Sequence, residues 1–387
     1  MSACLLAPTG YGVFNDEMIS DLIDMGKLEG VDKKHIQPSS VDLAPDLSRE
    51  VIRLGGSFRP QEHESVTELL KKVRWDPWDS RIALERQVNY LVPLKARLKL
   101  YNDTYGYANP KSSSGRSFLS TELIANGTTM YNHIHYGYDG EVYAVIMPRS
   151  YPVKLAESEP LCQLRFFNAD SRLNRDQLSR IFDQHGLIWV PDGQLEIGVD
   201  ETHSRRPVSF EELCARNRID KDGRVSLTLF IGKNGFAGWR WTGHSLPVDM
   251  AARDVCAEDY WQPVYANSNG YVHIRAGEFY ILSSYEYVST PYELCWELKD
   301  IDTRYGPARW HDAGFGDSGF GVFLGEMFQG SRVTFETSTP QDVWIRAGDV
   351  VGSVRFEHMI RPPHNPYTGN YSKQELPKLA KQFKLAA

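Results

Sequence analysis

One short segment of the sequence combines hydroxyl groups, a glycine and positive charge. Within residues 111–116, three consecutive serines and a glycine are flanked by a lysine and an arginine. Serine hydroxyls and free backbone N–H groups donate hydrogen bonds to phosphate oxygens, and an arginine can donate two at once. Gly115 permits close approach of a ligand to the backbone, or a positive φ. The segment predicts a phosphate-binding loop, with an ordinary Ser-rich surface loop as the alternative.

A glycine-rich segment offers binding groups of a second kind. Gly314, Gly316 and Gly319 surround a single acid, Asp317. This spacing is typical of a hairpin whose backbone comes close to another group. Main-chain groups there can read a planar base, and Asp317 can accept a hydrogen bond from a sugar hydroxyl. A plain β-turn explains the same residues equally well.

A third candidate is an acid inside a predicted strand. Glu336 follows Val333-Thr334-Phe335, a run with strong strand preference. A glutamate in such a run either faces solvent or is enclosed in a site. A carboxylate shielded from water can exchange protons with a substrate, so Glu336 is a candidate general acid–base.

Several well-known catalytic motifs are absent from the sequence. None of the eleven histidines begins an H-x-E sequence, and no P-C-x-x-C follows, so the zinc signature of nucleobase-modifying enzymes is missing. His133 and His135 can share one strand face, but no cysteine or acid stands next to them, and no metal site is expected. Walker-type loops, G-x-S-x-G elbows and dinucleotide fingerprints are also missing.

The elements that must position these residues are mostly strands. After Ile36, short runs rich in Val, Tyr, Phe and Ile alternate with Gly, Pro, Asn and Asp, which predicts an all-β sandwich or barrel. Helices are predicted over 15–25 and 174–185, where apolar residues recur at helical spacing. Two similar stretches, Asn89–Leu94 and Glu278–Ser283, indicate a duplicated domain. We therefore expect an N-terminal domain over 1–168, a connecting segment with a helix over 169–222, and a C-terminal domain over 223–387.

Composition limits the classes of partner. The chain has 387 residues, 41% apolar and 24% charged, with a net charge of −7. This charge argues against nucleic acid or an anionic membrane surface as the main partner, but allows a small anionic ligand. Five scattered cysteines without C-x-x-C spacing predict reduced thiols and a cytoplasmic location. Neither a signal peptide nor a membrane-spanning helix is expected, since no long apolar run is present.

Five segments, in order along the chain, resemble one family. Ile36–Leu43 resembles the opening signature of dCTP deaminases, and 111–116 resembles the Ser/Arg phosphate motif that these enzymes share with dUTPases. Residues 314–320 are similar to the family's base-binding hairpin. Residues 348–357 match its closing strands, and 367–381 resemble the tail that folds over the nucleotide. The arrangement as a whole resembles the double-length bacterial dCTP deaminases.

The resemblance implies a mainly β fold of two tandem dUTPase-like domains, each a distorted β-barrel or jelly roll, with a few short helices. It implies a homo-oligomer with threefold symmetry, preferably a trimer. The implied reaction is the hydrolytic deamination of dCTP to dUTP and ammonia in pyrimidine deoxynucleotide metabolism, without zinc. Magnesium would be carried by the triphosphate and not by a protein cage.

The same resemblance assigns roles to individual residues. Glu336 falls on the catalytic glutamate, which activates a water and passes a proton to the base. Ser112 and Arg116 would fix that water and the developing charge. The nucleotide-binding residues would be Lys111, Ser113, Ser114, Gly115, Arg304, Asp317, Gly319, Thr334, Phe335, Tyr367 and Gln374.

Each half departs from the family pattern in a different place. In the first half, Val145 stands where the catalytic glutamate is expected, and in the second half 299–304 is a decayed form of the Ser/Arg motif. One hypothesis is a composite site with serines and Arg116 from one half and Glu336 from another. Two alternatives remain: a dUTPase or bifunctional deaminase–diphosphatase, and a catalytically inactive deoxynucleotide-binding regulator.

Overall fold

The computed structural model describes residues 10–192, 205–306, 314–323, 329–369 and 371–385. In these residues strands predominate and helices are short, which confirms the predicted mainly β fold. No helix of the described residues is long and apolar enough to cross a membrane.

The described chain divides into two compact units. The N-terminal unit contains Tyr11–Asp170, Gly243–Tyr260 and 380–385. The C-terminal unit contains the described residues of Ser171–Thr242 and Trp261–Leu379. The N-terminal unit is thus completed by two segments from late in the sequence, which sequence analysis did not foresee.

The two predicted helices begin at asparagines that cap them. Asn15 accepts a hydrogen bond from the Met18 N–H, and Asn174 forms a capping box with Gln177, as expected of Asn at an N-cap. Both predicted helices are therefore confirmed. The α-helices are α1 Asp16–Asp24, α2 Val66–Leu70, α3 Ser112–Arg116, α4 Arg175–His185, α5 Phe210–Ala215 and α6 Ala257–Tyr260, and single 3-10 turns occupy Lys33–His35, Lys233–Gly235 and Thr303–Tyr305.

The strands follow the Val-, Tyr- and Phe-rich runs. In chain order they are β1 Leu28–Glu29, β2 Val41–Leu43, β3 Val51–Leu54, β4 Trp75–Trp78, β5 Asn89–Lys99, β6 Tyr105–Pro110, β7 Leu119–Ala125, β8 His133–Ile134, β9 Asp139–Pro148, β10 Val153–Lys154, β11 Cys162–Phe167, β12 Ile188–Pro191, β13 Arg205–Pro207, β14 Arg224–Thr228, β15 Phe236–Trp241, β16 Val248–Asp249, β17 Val255–Cys256, β18 Trp261–Tyr265, β19 Tyr271–Ile274, β20 Tyr280–Val288, β21 Leu294–Lys299, β22 Phe315–Gly316, β23 Ser331–Thr337, β24 Val343–Arg346, β25 Val350–His358 and β26 Phe383–Lys384.

Two main sheets form the N-terminal unit. One has the order β4-β3-β5-β9-β7, with β1 also paired to β5, and the other has the order β2-β11-β6-β8. The late segments add two short parallel pairs, β10 with β16 and β17 with β26. Phe383 packs there against the rings of Tyr151 and Tyr260.

The C-terminal unit repeats this plan. Its larger sheet has the order β13-β12-β20-β15-β18, with β23 also paired to β20, and its smaller sheet has the order β14-β25-β21-β22. Strands β19 and β24 form a separate pair. The core of this unit takes apolar residues from its sheets and also from α4 and α5, including Leu178, Phe182 and Leu213.

Strand pairing shows which positions of the two units are equivalent. Leu91 of β5 lies opposite Val145 of β9, and Ile281 of β20 lies opposite Glu336 of β23. In both pairs an irregularity of register begins two residues further along the long strand. Val145 and Glu336 therefore occupy the same place in the two sheets, in agreement with the sequence alignment.

Candidate active site

Glu336 lies on β23 with its side chain shielded from solvent. Only 2% of the residue is exposed. Because side chains alternate along a strand, Glu336 shares one face of β23 with Arg332 and Thr334. The alternate residues, Val333 and Phe335, belong to the apolar core. The strand thus presents one polar and one apolar face, and Glu336 belongs to the polar one.

Phe335 is fully enclosed in that core. A Cβ placed on Gly352 would lie 2.3 Å from the Phe335 ring, so the missing side chain at Gly352 makes room for this ring. The Phe335 side chain is thus committed to packing, and only the main-chain groups of this residue remain for the predicted nucleotide contact.

A segment of the tail runs along β23. The Arg332 N–H donates to the Gln374 carbonyl oxygen at 2.9 Å, and the Gln374 N–H donates to Ser331 Oγ at 2.8 Å. The Gln374 side-chain amide donates to Thr334 Oγ1 at 2.5 Å. Two of the predicted nucleotide-binding residues, Thr334 and Gln374, thus lie in contact on the face that carries Glu336.

The glycine-rich segment meets the start of the same tail. The Tyr367 N–H donates to the Ser318 carbonyl oxygen at 2.9 Å. Gly319 has a φ of +87°, and a Cβ there would lie 2.8 Å from Pro366. Both the conformation and the close approach require glycine. Asp317, which precedes this contact, is buried. The structure therefore brings together Gly319 and Tyr367, with Asp317 beside them in the chain, and the tail links this group to Gln374.

The serine segment forms the short helix α3 in the N-terminal unit. Ser114 is completely buried, and its hydroxyl donates to the Leu161 carbonyl oxygen at 3.1 Å, so this serine anchors the turn. Ser112 is the most exposed of the three serines. Gly115 lies within the helix and does not use the left-handed backbone open to glycine. Arg116 ends the helix and is buried.

Lys111 is held by an acid whose role sequence analysis missed. Its Nζ lies 2.7 and 2.8 Å from the two carboxylate oxygens of Asp42, which also accepts from the Gln37 amide at 3.2 Å. Asp42 stands in the Ile36–Leu43 signature, so the resemblance pointed to the residue but gave it no role. The pair orients the one lysine of the phosphate motif.

Cys162, a cysteine close to Lys111 and Asp42, is unreactive at neutral pH. Burial raises the pKa of the Cys162 thiol to about 12, the charge of Asp42 adds to the rise, and Lys111 opposes it. Cys162 therefore stays protonated at neutral pH and is not a nucleophile.

The counterpart of this segment in the C-terminal unit is different. Gln163 of β11 lies opposite both Asn109 and Asp42, and Ser353 of β25 lies opposite both Lys299 and Ser226. Aligning the units on these strands places Lys299 level with Asn109, two residues away from the alignment with Lys111 that sequence comparison gave. In this register, Ile301 is the counterpart of Lys111, and Ser226 is the counterpart of Asp42.

Arg304 is an exposed residue that pairs with a neighbour in the chain. Its Nε and Nη2 donate to the two carboxylate oxygens of Asp302 at 2.9 and 2.8 Å, on the surface. The hydrogen bonds from Arg304 hold the pKa of Asp302 at about 2. Asp302 thus engages two of the three guanidinium nitrogens of an exposed side chain.

Val145 lies in an apolar cluster where the C-terminal unit has its polar face. This cluster is formed by Ile52, Leu54, Val66, Leu91, Ile124, Tyr143 and Val145, with Phe58, Leu70 and Tyr131 packed against it. The cover comes from β3, α2 and the loop between them. The face of β9 that is equivalent to the Glu336 face is consequently filled by the protein's own side chains.

The two histidines of 133–135 have different surroundings. Burial, and to a lesser degree the neighbouring His135, lower the pKa of His133. The ring of His135 faces the Tyr136 carbonyl oxygen at 3.0 Å. Among the described residues, no group of three or more His, Cys, Asp or Glu side chains is placed to hold a metal ion.

The chain is similar to known proteins in sequence and in overall structure. Residues 10–170 match the model of the 2'-deoxycytidine 5'-triphosphate deaminase N-terminal domain, and residues 199–383 match that of the C-terminal domain. Among solved structures, the crystal structure of 2'-deoxycytidine 5'-triphosphate deaminase from Agrobacterium tumefaciens is 28% identical, with a TM-score of 0.77. That match covers 92% of this chain and 100% of the other. No curated protein sequence matches.

The two domain models together span most of the sequence, in the order expected for a double-length chain. The chain belongs to the 2'-deoxycytidine 5'-triphosphate deaminase family.

Proposed function

We propose that this chain catalyses the hydrolytic deamination of dCTP to dUTP and ammonia. The observation that carries the proposal is the enclosed carboxylate of Glu336 on a polar strand face, beside a tail held by hydrogen bonds. A shielded carboxylate is suited to proton transfer, and a hydrogen-bonded cover can separate to admit a substrate.

Glu336 acts as the general base and then as the general acid. It takes a proton from water while the water oxygen bonds to C4 of the cytosine, and it passes that proton to ring N3. The tetrahedral intermediate then gives its hydroxyl proton, through Glu336, to the amino nitrogen. The C4–N bond breaks, ammonia leaves, and a C4 carbonyl remains. Each proton is accounted for, and the carboxylate is restored.

The remaining residues bind and orient. Ser112 and Arg116 fix the water and the charge that develops on the base. Lys111 and the serine turn hold the triphosphate through charge-assisted hydrogen bonds. Ser114 acts through the position of the turn, since its hydroxyl is engaged with Leu161. Asp317 accepts from the sugar hydroxyl.

The other expected contacts come from the glycine-rich segment and the tail. Gly319 and the main chain at Phe335 approach the base, and Tyr367 and Gln374 close over it next to Thr334. Arg304 contributes to phosphate binding through Nη1, which does not bond to Asp302. The substrate is the magnesium complex of the triphosphate, with the ion held by phosphate oxygens.

The assembly and the location follow the same reasoning. We expect a homotrimer, as the family resemblance implies, which sedimentation of the full chain measures directly. The cysteines of the described chain, Cys162, Cys214, Cys256 and Cys295, are thiols and not disulfides. Reduced thiols support the expected cytoplasmic location.

Incubation with dCTP and magnesium tests the proposal. Ammonia and nucleotide products are followed together for the wild type, Glu336→Gln and Ser112→Ala. We expect dUTP and ammonia from the wild type, and a loss of roughly 100- to 10,000-fold in kcat for Glu336→Gln. Release of pyrophosphate in place of ammonia would identify a diphosphatase. Full activity in both variants, or binding of dCTP without turnover, would contradict the proposed mechanism.

A further inference from the structure

Arg205 makes several contacts that no sequence motif predicted. It opens β13, and its side chain is only 11% exposed. Nη1 donates to the carbonyl oxygens of Gln329 and Gly330 at 3.3 and 3.0 Å. Nη2 pairs with the Glu375 carboxylate, and the guanidinium carbon lies 3.6 Å from the centre of the Tyr287 ring.

These partners belong to three separate parts of the C-terminal unit. Gly330 directly precedes β23, the strand that carries Glu336. Glu375 follows Gln374 in the tail. Tyr287 lies on β20, opposite Arg332 of β23. One side chain therefore joins the tail to the start of the catalytic strand and to the strand beside it.

The arrangement requires the shape of an arginine. A guanidinium is a planar fork that can donate in two directions while its face rests on an aromatic ring. A lysine has the same charge but donates from a single point, and it cannot serve the carbonyls, the carboxylate and the ring together. Because Arg205 is largely enclosed, its pair with Glu375 is also less screened than an ordinary surface pair.

The tail has other fastenings, and Arg205 is one among several. The Trp239 Nε1–H donates to the Pro377 carbonyl oxygen at 2.9 Å, and Gln374 is bonded to Ser331 and Thr334. Loss of Arg205 should therefore loosen the tail without detaching it. The core of the unit does not include Arg205, so the effect should stay local.

We propose that Arg205 is a positioning residue that fastens the tail, residues 366–369 and 371–377, in its closed place along β23. It acts through Glu375 and the carbonyls before β23 and touches no substrate. The inference rests on the proposed function insofar as the tail covers the nucleotide. The fastening itself is a property of the protein alone and can be measured without turnover.

Tryptic cleavage at Lys373 and Lys378, which both lie in or next to the tail, measures this fastening in the full chain. We expect Arg205→Lys and Glu375→Gln each to speed cleavage about fivefold to tenfold and to raise KM for dCTP about tenfold, with kcat changed by less than about twofold. The double variant should be no worse than the stronger single one, because both changes break the same link.

Arg206→Lys is the matched control. Arg206 is the next residue of β13, and it pairs with Glu212 at 2.9 and 3.0 Å, away from the tail. It should leave both cleavage and KM unchanged. Glu375→Gln alters a half-exposed side chain, so it keeps the test valid if Arg205→Lys fails to fold.

Unchanged cleavage in folded Arg205→Lys and Glu375→Gln would overturn the inference, as would equal effects in Arg206→Lys. A fall in kcat at constant KM would also overturn it, since that places Arg205 in the chemistry. If the wild type does not deaminate dCTP, the proposed function fails. The role of Arg205 can still be decided from the tryptic cleavage rates and from the dissociation constant of dCTP, measured by calorimetry.

Discussion

Strands β9 and β23 hold the same place in the two units and have opposite surroundings at one position. Val145 of β9 lies in an apolar cluster beneath α2, whereas Glu336 of β23 lies on a polar face beside the tail. Both faces are covered by other parts of the chain. The covers differ in chemistry, one being apolar side chains and the other hydrogen bonds.

This difference decides which face can open. Burying an apolar side chain stabilises a fold by about 1.5–3 kcal/mol, and several act together beneath α2. A hydrogen bond contributes only about 0.5–1.5 kcal/mol net, because water replaces it when the groups separate. A polar cover therefore opens for a substrate at small cost, while an apolar one stays closed. At the position equivalent to Glu336, the N-terminal unit has the apolar core residue Val145.

At the serine turn, residues 111–116, the N-terminal unit has the charged groups and the C-terminal unit lacks them at the equivalent positions, which is the opposite of the difference at Val145 and Glu336. The N-terminal unit has Lys111 paired with Asp42, and register places Ile301 and Ser226 at these positions in the C-terminal unit. Both charges are therefore present in one unit and absent from these positions of the other, so neither unit buries one of them without its partner.

Moving the acid from one unit to the other should abolish activity. We expect Glu336→Val to lower kcat by roughly 100- to 10,000-fold, since the proton-transferring group is lost. The double variant Glu336→Val with Val145→Glu should be equally inactive, because the cluster around position 145 leaves no room for a nucleotide. Activity restored in the double variant would show that the two positions are interchangeable. Deamination rates at saturating dCTP measure the effect.

Val145→Glu alone should destabilise the N-terminal unit by about 3–5 kcal/mol, because it places a charge among apolar side chains without a partner. Calorimetric melting should show a drop of about 6 °C or more. Burial raises the folded-state pKa of such a carboxyl above its unfolded value of about 4.3. The loss should therefore be small below about pH 4.3 and grow as pH rises through the folded-state pKa.

Val145→Gln is the control for this pH dependence. It has the same size as glutamate but no charge, so its destabilisation should not vary between pH 4 and pH 8. A constant loss in Val145→Glu over the same range would mean that the carboxylate reaches water, and that the cluster is less closed than its burial indicates.

The two covers should also respond differently to side-chain truncation. Ile124→Ala, in the apolar cluster, should cost about 2–5 kcal/mol, since it removes buried carbon and leaves a cavity. Thr334→Ala, which removes the acceptor of the Gln374 amide, should cost about 0.5–1.5 kcal/mol. Calorimetry of each variant compares them. Equal losses would contradict the distinction between a permanent cover and a separable one.

Much of this organisation could be predicted from the sequence, for identifiable reasons. The Val-, Tyr- and Phe-rich runs predicted the strands, Asn15 and Asn174 predicted the helix starts, and the similar stretches Asn89–Leu94 and Glu278–Ser283 predicted the duplication. The match of Val145 with Glu336 agrees with the strand register, because these residues lie opposite Leu91 and Ile281, each two residues before an irregularity of the long strand.

Other features depend on contacts between distant residues and leave no local pattern. Ser114 has the same residue type as Ser112 and Ser113, so its complete burial can be seen only in the folded structure. The pair of Lys111 with Asp42 spans 69 residues and that of Arg205 with Glu375 spans 170. The packing of residues 380–385 in the N-terminal unit is also not indicated by the sequence, because a short segment docks by a few specific contacts.

The smallest expected difference between the two units concerns Lys111 and Asp42. Lys111→Met should raise KM for dCTP about tenfold, equivalent to ~1.4 kcal/mol, because one charged phosphate donor is lost. Asp42→Asn should act in the same direction but add little to Lys111→Met, since it works by orienting that lysine. Steady-state kinetics of the single and double variants measures both effects.

Lys299→Met provides the matched control in the other unit. Lys299 pairs with Glu297 at 2.5 Å, and register places it level with Asn109, outside the serine turn. It should leave KM unchanged. A larger effect of Lys299→Met than of Lys111→Met would mean that the C-terminal unit had kept the anion-binding role. Fully additive effects of Asp42→Asn and Lys111→Met would instead assign Asp42 a task of its own, independent of the lysine that it holds.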